Sequence, residues 1–270
     1  MNKTQNPFNV YDFLGYITPG IFIITGLYMI KCYEAIQSSG LIIWISKLQE
    51  KISLESYVPL IVIFYIIGHI VNYLSAIIIE RHSVLYFDYP SKYLIKKGDP
   101  QSYSVKKEYG NAWDWICRTI VYAVTLPLCV FPYLLKNKFA RSMDDIYIEP
   151  YINKSKILSK KLLNHDITES NDAWRLIYHH MIEIESCHFA KYQNYVALYG
   201  FTRAISFCFL VYFWYSIINM IFLQGSLLVV FLSICGLYIM YMAFNKFYRR
   251  FSLEVIMSFL SYDTSNEKKF

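Results

Sequence analysis

The chain has 270 residues, of which 56% are hydrophobic and only 17% are charged, and it carries a net charge of +6. A soluble domain has roughly a quarter charged residues, so this composition excludes an ordinary soluble enzyme. The charge does not require a nucleic-acid partner, because membrane proteins keep Lys and Arg on the cytosolic side, and we expect no direct binding to DNA. The six cysteines show no paired spacing, so we predict neither a disulfide framework nor a zinc site.

Two apolar runs occupy residues 1–79, and each has about the length that crosses a bilayer. The first, at 13–30, is too long for the core of a signal peptide, and no small-x-small cleavage site follows it, which predicts an uncleaved span. The second run, at 57–79, carries His69 and Asn72 three residues apart, on one face of a helix. The region is therefore predicted to be an N-terminal membrane hairpin.

Residues 80–203 are polar and basic, and they are predicted to form a mostly helical cytosolic domain between spans two and three. They hold 17 of the 26 Lys and Arg residues, against 3 in the connection at 31–56. Because cytosolic segments carry the excess of positive charge, this asymmetry places the central region and both termini in the cytosol. We expect a multi-pass membrane protein.

One segment inside this region, residues 119–135, is apolar and is flanked by basic residues. As a full span it would put the basic residues that follow it outside the cell, against the charge rule. Pro127 and Pro132 would also break a straight helix. We favour a membrane-associated element, which lies at the surface, re-enters or is buried, over a fifth span.

The chain is organised around a long helical pattern from Asn171 to Leu223, continuous or broken near Gly200. Its first part is amphipathic, and from Ala204 it is apolar on all sides, as a lipid-exposed helix is. We interpret it as the link that transmits a signal from the cytosolic domain to the membrane. Four residues with helical spacing form either a self-association seam or a face packed on its own domain: Trp174, Ile177, Met181 and Ile184.

The last two apolar runs, at 204–223 and 226–244, are separated only by Gln224 and Gly225. So short a connection predicts an antiparallel hairpin, and we assign residues 204–250 to a C-terminal membrane domain with a cytosolic tail at 251–270. The predicted fold is thus four transmembrane helices with one inserted cytosolic domain.

Polar residues inside the predicted spans either hold helices together or line a path through the membrane. Neither alternative is excluded by the sequence, and His69 is the sharpest candidate because an imidazole in a bilayer is costly unless it is paired or hydrated. The full set is Thr18, Thr25, His69, Asn72 and Asn219.

Catalytic signatures are few. Arg175 and His180 have the Arg-x4-His spacing of HEPN-type ribonucleases, a weak motif that chance alone would often produce. Glu185 and His188 have a spacing found in carboxylate-bridged metal sites, but the second copy that such sites need is missing, and ordinary pairing on a helix face is the favoured interpretation. We predict no metal and no cofactor.

Two short stretches, YDFLGYITPG at 11–20 and LYGFTRAISF at 198–207, together with the layout of the chain, resemble small multi-pass membrane proteins of bacterial anti-phage defence operons. The resemblance implies an oligomeric effector that a cytosolic partner protein or a nucleotide triggers and that disrupts the membrane potential. It implies no catalytic residues.

The sequence therefore predicts a pore- or channel-forming effector that assembles as a homo-oligomer in the lipid bilayer. Two alternatives stay open: a membrane-tethered ribonuclease that uses Arg175 and His180, and a non-catalytic membrane anchor or scaffold for a partner protein.

Overall fold

The structure is a computed structural model, and it describes residues 13–40, 43, 46, 57–96, 119–129, 140–164, 173–184, 186–223 and 225–262. About 90% of it is helical, and no strand occurs among these described residues. The prediction of an all-α protein is confirmed for this part of the chain. In the predicted connection at 31–56, the residues after 40 other than 43 and 46 lie outside it, as does the end of the tail after residue 262.

The main helices follow the apolar runs of the sequence but extend beyond them. In chain order they are α1 (Thr18–Lys31), α2 (Tyr33–Ser39), α3 (Tyr57–Ser75), α4 (Arg81–Phe87), α5 (Pro90–Tyr93), α6 (Asp145–Leu163), α7 (Trp174–Ile184), α8 (Ser186–Leu223) and α9 (Leu227–Ser261). A π-helical turn precedes α1 at Phe13–Ile17, and a second joins α3 to α4 at Ala76–Glu80.

Three helical stretches of the described chain are long and apolar enough to cross a membrane: Val58–Tyr93, Ala190–Phe222 and Leu227–Ser261. They cover almost all of the second, third and fourth predicted spans. The second and fourth extend beyond the predicted C-terminal ends, and the third begins before its predicted start. The first predicted span, at 13–30, is helical but is not one of these three. Four spans therefore stay a prediction.

The long predicted helix is continuous at Gly200, where we allowed a break. Helix α8 runs from Ser186 to Leu223 without interruption, and α7 ends at Ile184, with Glu185 outside the described residues. The suggested break near Gly200 is therefore wrong. A methyl group added at Gly200 would meet no atom within 4 Å, so nothing crowds the helix there and one glycine is not enough to end it.

Glycines allow the membrane helices to approach each other closely. A Cβ atom at Gly20 would lie 1.9 Å from the carbonyl oxygen of Phe64, and one at Gly68 would lie 1.7 Å from that of Tyr16. Helices α1 and α3 therefore cross backbone to backbone, as small residues permit in membrane bundles. Helices α8 and α9 use the same device, because a Cβ atom at Gly236 would lie 2.3 Å from the ring of Phe209.

The turn between α8 and α9 is tight, as the sequence predicts. The backbone N–H of Gly225 donates to the carbonyl oxygen of Asn219 at 3.1 Å. The N–H of Leu228, in the first turn of α9, donates to the Ser226 hydroxyl at 3.3 Å, which is an N-cap interaction.

The chain divides into two compact units. Unit 1 contains residues 1–81, 121–128 and 200–244, and unit 2 contains residues 82–120, 129–199 and 245–270. The apolar segment at 119–135, which we predicted to be membrane-associated, contributes residues 121–128 to unit 1. There it forms a short helix ending at residue 124 and a 3-10 turn at Leu126–Leu128, and the indole N–H of Trp214 donates to the carbonyl oxygen of Val124 at 2.8 Å.

Unit 2 is built on α6, α7 and the C-terminal part of α9. The ammonium group of Lys154 on α6 donates to the carbonyl oxygens of Phe259 at 2.6 Å and of Tyr262, at the end of α9. A cation at this position satisfies carbonyl groups that have no partner within the helix and complements the helix dipole.

We expect Gly68→Ala to destabilise the protein by about 1–3 kcal/mol, because the added methyl group meets backbone that cannot rotate away and the two helices must separate. Gly200→Ala is the control, since the same methyl group there enters open space and removes a helix-weakening glycine. Unfolding in detergent micelles by increasing fractions of SDS measures both variants. Equal midpoints for Gly68→Ala and the wild type would contradict the close crossing.

Candidate functional site

The guanidinium of Arg203 on α8 joins two of the long apolar helical stretches of the described chain. It donates to the carboxylate of Glu80 through Nη1, to Oδ1 of Asn72 through Nη2 at 2.7 Å, and to the hydroxyl of Ser75 through Nε at 3.2 Å. We call these four residues the Arg203 cluster. Its three acceptors all belong to one helical stretch, so a single side chain joins the second and third predicted spans.

The local sequence of the second span explains why its three acceptors face the same way. Asn72 and Ser75 are three residues apart and share a helix face. Glu80 closes the π-helical turn Ala76–Glu80. A π turn holds more residues than an α turn, so successive side chains are separated by a smaller angle around the helix axis. Glu80 therefore stays near the face that carries Asn72.

The cluster lies about one bilayer thickness along the helix from the start of the apolar stretch Val58–Tyr93. Glu80 is 22 residues beyond Val58, about 33 Å along a helix, and the hydrocarbon core is about 30 Å thick. The side chains of Arg203 and Glu80 are only 13% and 25% exposed. Each charge is therefore largely removed from water and is compensated by the other, since breaking such a pair leaves a buried charge behind.

Asn72, which we predicted either to line a path or to hold helices together, is engaged in holding helices together. Its carbonyl oxygen accepts from Arg203, which is 131 residues away in sequence. Interhelical hydrogen bonding is the common role of a polar side chain in a membrane bundle.

His69 has a different environment. Its ring stacks on that of Tyr16 with 3.9 Å between centroids and meets the edge of the Tyr65 ring at 4.5 Å. It nevertheless stays exposed on the surface of one copy of the chain. It lies 11 residues beyond Val58, about 17 Å along the helix, and the hydrocarbon core of a bilayer is about 30 Å thick.

The other intramembrane polar candidates are not brought together with His69. The hydroxyl of Thr18 donates to the carbonyl oxygen of Phe13 at 3.0 Å, and that of Thr25 to Ile21 at 2.7 Å, so both are satisfied within their own helix. Asn219 lines a separate cavity of about 350 Å³, beside Lys31 and the buried Ser216.

The seam predicted on the amphipathic helix is mostly interior. Ile177 and Met181 are fully buried within one copy of the chain, and Trp174 packs edge-to-face on Phe251 at 6.2 Å. Ile177 and Met181 therefore pack within their own unit, as in the alternative to an oligomer seam, and the seam itself stays a prediction. A part in transmitting a signal along the helix stays a prediction, and the side chain of Ile184 lies outside the described residues.

Arg175 and His180 lie on the same helix but not on one face. Arg175 is exposed, whereas His180 is half-buried and meets the ring of Tyr262 edge-on at 6.4 Å. Five residues of α-helix separate two side chains by about 140° around the axis. Burial lowers the pKa of His180 from its ordinary value, and the nearby Lys161 and Lys154 lower it further, against the opposing effect of Glu183.

Within the described residues, no three His, Cys, Asp or Glu side chains lie close enough together to hold a metal ion. Glu185 and the side chain of His188, the pair with metal-like spacing, lie outside what the structure describes.

Sequence reasoning missed Arg203 and Glu80 as a site and used them only as the limits of the cytosolic region. The available signal was two opposite charges, one at the end of the second apolar run and one at the start of the third. In a membrane protein an ionisable residue at such a position usually pairs.

Comparison of the chain with protein-family models, with curated protein sequences and with solved structures finds no match. The function is therefore inferred from the residues and their contacts.

We expect Glu80→Gln to destabilise the protein by about 3 kcal/mol, because it leaves the charge of Arg203 poorly compensated in a largely buried site. Asp145→Asn is the matched control: its ion pair with Lys96 is far more exposed, at 78% and 53%, and should contribute less than about 1 kcal/mol. The measurement is reversible unfolding in mixed micelles. Similar losses in the two variants would show that the Arg203 cluster does not anchor the fold.

We expect the free energy of unfolding to fall as the pH is lowered below about 6.5, because the unfolded chain then binds a proton that buried His180 resists. His180→Gln should reduce this pH dependence, while His179→Gln, at the exposed neighbouring position, reports any effect of the substitution itself. Melting temperatures across this pH range measure the difference. An unchanged slope in His180→Gln would contradict the assignment.

Proposed function

We propose that this chain is a pore-forming membrane effector that assembles from several identical copies around the exposed face of α3. The observation that carries the proposal is His69, an imidazole exposed on a helix surface near mid-membrane depth. Polar side chains at that depth are rare and usually face a bundle interior or a water-filled path. In one copy His69 faces neither, and a second copy would supply the missing wall.

The residues around His69 support this choice of face. Val62 and Ile66 precede His69 and Tyr73 follows it, all at helical spacing. Their side chains are 52%, 54% and 69% exposed. A helix face with only aliphatic side chains around His69 would be suited to contact with lipid. Tyr73, however, adds a second polar group to the same face. Identical faces around a closed ring would place several imidazoles and phenols about one axis, where water can hydrate them.

The Arg203 cluster supplies a means of control. Helix α8 is a single helix of 38 residues, or about 57 Å, and it carries Arg203 near its middle. A movement of α8 would therefore act on Asn72, one helical turn from His69. The trigger in this proposal is a cytosolic partner protein or nucleotide acting on residues 80–203, as in the defence proteins that the chain resembles.

The proposed placement is the bacterial inner membrane, with four spans and both termini in the cytosol. The distribution of Lys and Arg supports this orientation. The anchor or scaffold alternative has one observation in its favour, namely that the amide of Asn72 is already engaged between helices. No contact between Arg175 and His180 is seen in the described chain, so this pair gives no support to the ribonuclease alternative.

We expect purified wild-type protein in liposomes to release an entrapped ionic dye and His69→Leu to release at least about tenfold less, because the only ring nitrogens at the proposed wall are lost. His179→Leu, the same replacement outside the spans, should behave as the wild type. Equal release by all three proteins would contradict a path at His69.

A second measurement tests the assembly in the absence of a trigger. Ile66→Cys in native membranes should give dimers and larger species with a short bis-maleimide. Leu232→Cys, at a similarly exposed position on α9 (56% against 54%), and the wild type with its native cysteines should not. If Ile66→Cys stays monomeric, the α3 face is not the contact between copies.

A further inference from the structure

A second site lies in unit 2 and shares no residue with the Arg203 cluster. It is a cavity of about 490 Å³ between the segment that leads into α6 and the C-terminal part of α9. Its lining has an apolar part and a polar, charged part, which we call the rim. The apolar part is formed by Met143, Leu253 and Met257, and the rim by Arg141, Ser142, Asp144, Tyr147 and Arg249.

The side chain of Arg249 and the backbone at Arg141 are joined at the rim. Nη2 of Arg249 donates to the backbone carbonyl oxygen of Arg141 at 3.1 Å. The same segment is tied down two residues later, where the N–H of Met143 donates to the carbonyl oxygen of Leu94 at 2.9 Å. Both guanidinium groups therefore border the cavity from a supported backbone.

Arg249 retains a donor that no contact in the described chain uses. Its Nε atom is buried and has no hydrogen-bond acceptor among the described residues. A buried donor without an acceptor is costly, and the residue that carries it also lines the cavity. The N-terminus of α6, a helix of 19 residues, begins beside Asp144 and adds partial positive charge.

The chemistry of the rim selects an anion. Two arginines and one aspartate leave one net positive charge, and guanidinium groups recognise phosphate through paired N–H donors. Ser142 offers a hydroxyl, and Tyr147, which is 41% exposed, offers a ring on which a planar group can stack. The volume exceeds what an inorganic anion alone requires.

We propose that this cavity binds a phosphate group carried by a larger molecule. Two sources share that chemistry. Arg249 is 22 residues beyond Leu227, about 33 Å along α9, which is the depth of a lipid headgroup if the span begins there. A soluble nucleotide could present the same group from the cytosol. The site does not depend on pore formation.

The experiment uses the full chain in two preparations. In neutral detergent, calorimetric titration with sodium pyrophosphate and with ATP tests the soluble source. In nanodiscs of phosphatidylcholine alone or mixed with phosphatidylglycerol, the shift in melting temperature tests the lipid source. Binding in detergent assigns the site to a soluble phosphate, and stabilisation only by phosphatidylglycerol assigns it to a headgroup.

Three variants make the result specific. Arg249→Gln removes the buried donor, and Arg141→Gln removes a guanidinium but keeps the carbonyl group that Arg249 binds. Each should weaken binding by about tenfold or more. Arg250→Gln removes the same charge from the exposed neighbouring residue, which does not line the cavity, and should bind as the wild type.

Equal weakening in all three variants would reduce the effect to general charge attraction and overturn the site. The absence of both binding and stabilisation in the wild type would overturn it as well. Since Arg141 is exposed, Arg141→Gln stays informative even if Arg249→Gln fails to fold.

Discussion

A charged side chain at the edge of a bilayer must be compensated, and the pairing of Arg203 with Glu80 is the interaction on which the membrane part of this protein depends. The two residues are 123 positions apart in sequence. Glu80 comes just before the chain leaves unit 1 after Arg81, and Arg203 comes just after it returns at Gly200. The ion pair thus joins the two ends of the inserted region, and neither charge could be kept at that depth without the other.

Apolar helices gain little from burying apolar surface against one another in lipid, so close contact and hydrogen bonds must hold them together. Both devices are present here. Gly68 brings α3 against the backbone near Tyr16, and Gly236 admits the ring of Phe209. Asn72 and Ser75 add hydrogen bonds to Arg203. After these contacts are made, His69 and Tyr73 are polar side chains of α3 that stay exposed, and the proposed function centres on His69.

The basic residues of the chain have different structural roles, and the number of charges alone does not distinguish these roles. Lys154 donates to the last carbonyl groups of α9, and Lys191 pairs with Glu254. Arg249 borders a cavity with a donor still unused within the described chain. All of them satisfy the charge rule for cytosolic segments, and only their contacts distinguish structural cations from a candidate anion site.

Much of the architecture follows from the sequence, because lipid imposes simple requirements on composition and length. Runs of about twenty apolar residues can only be helices, and Gln224 and Gly225 leave no room for anything but a hairpin. The coarse fold class and the spans at 57–79, 204–223 and 226–244 were therefore predictable. The first span and the orientation rest on the sequence alone.

The tertiary structure decided which side chains meet. Helical spacing made Ile177 and Met181 equally suitable for a core or for a seam, and only packing placed them in the core. Composition showed Asn72 as polar but could not show that Arg203 would reach it from the next span. The same limit applies to the cavity at Arg141 and Arg249, whose residues are 108 apart in sequence. Periodicity and length are local properties that the sequence determines, whereas partnership between distant residues exists only once the chain has folded.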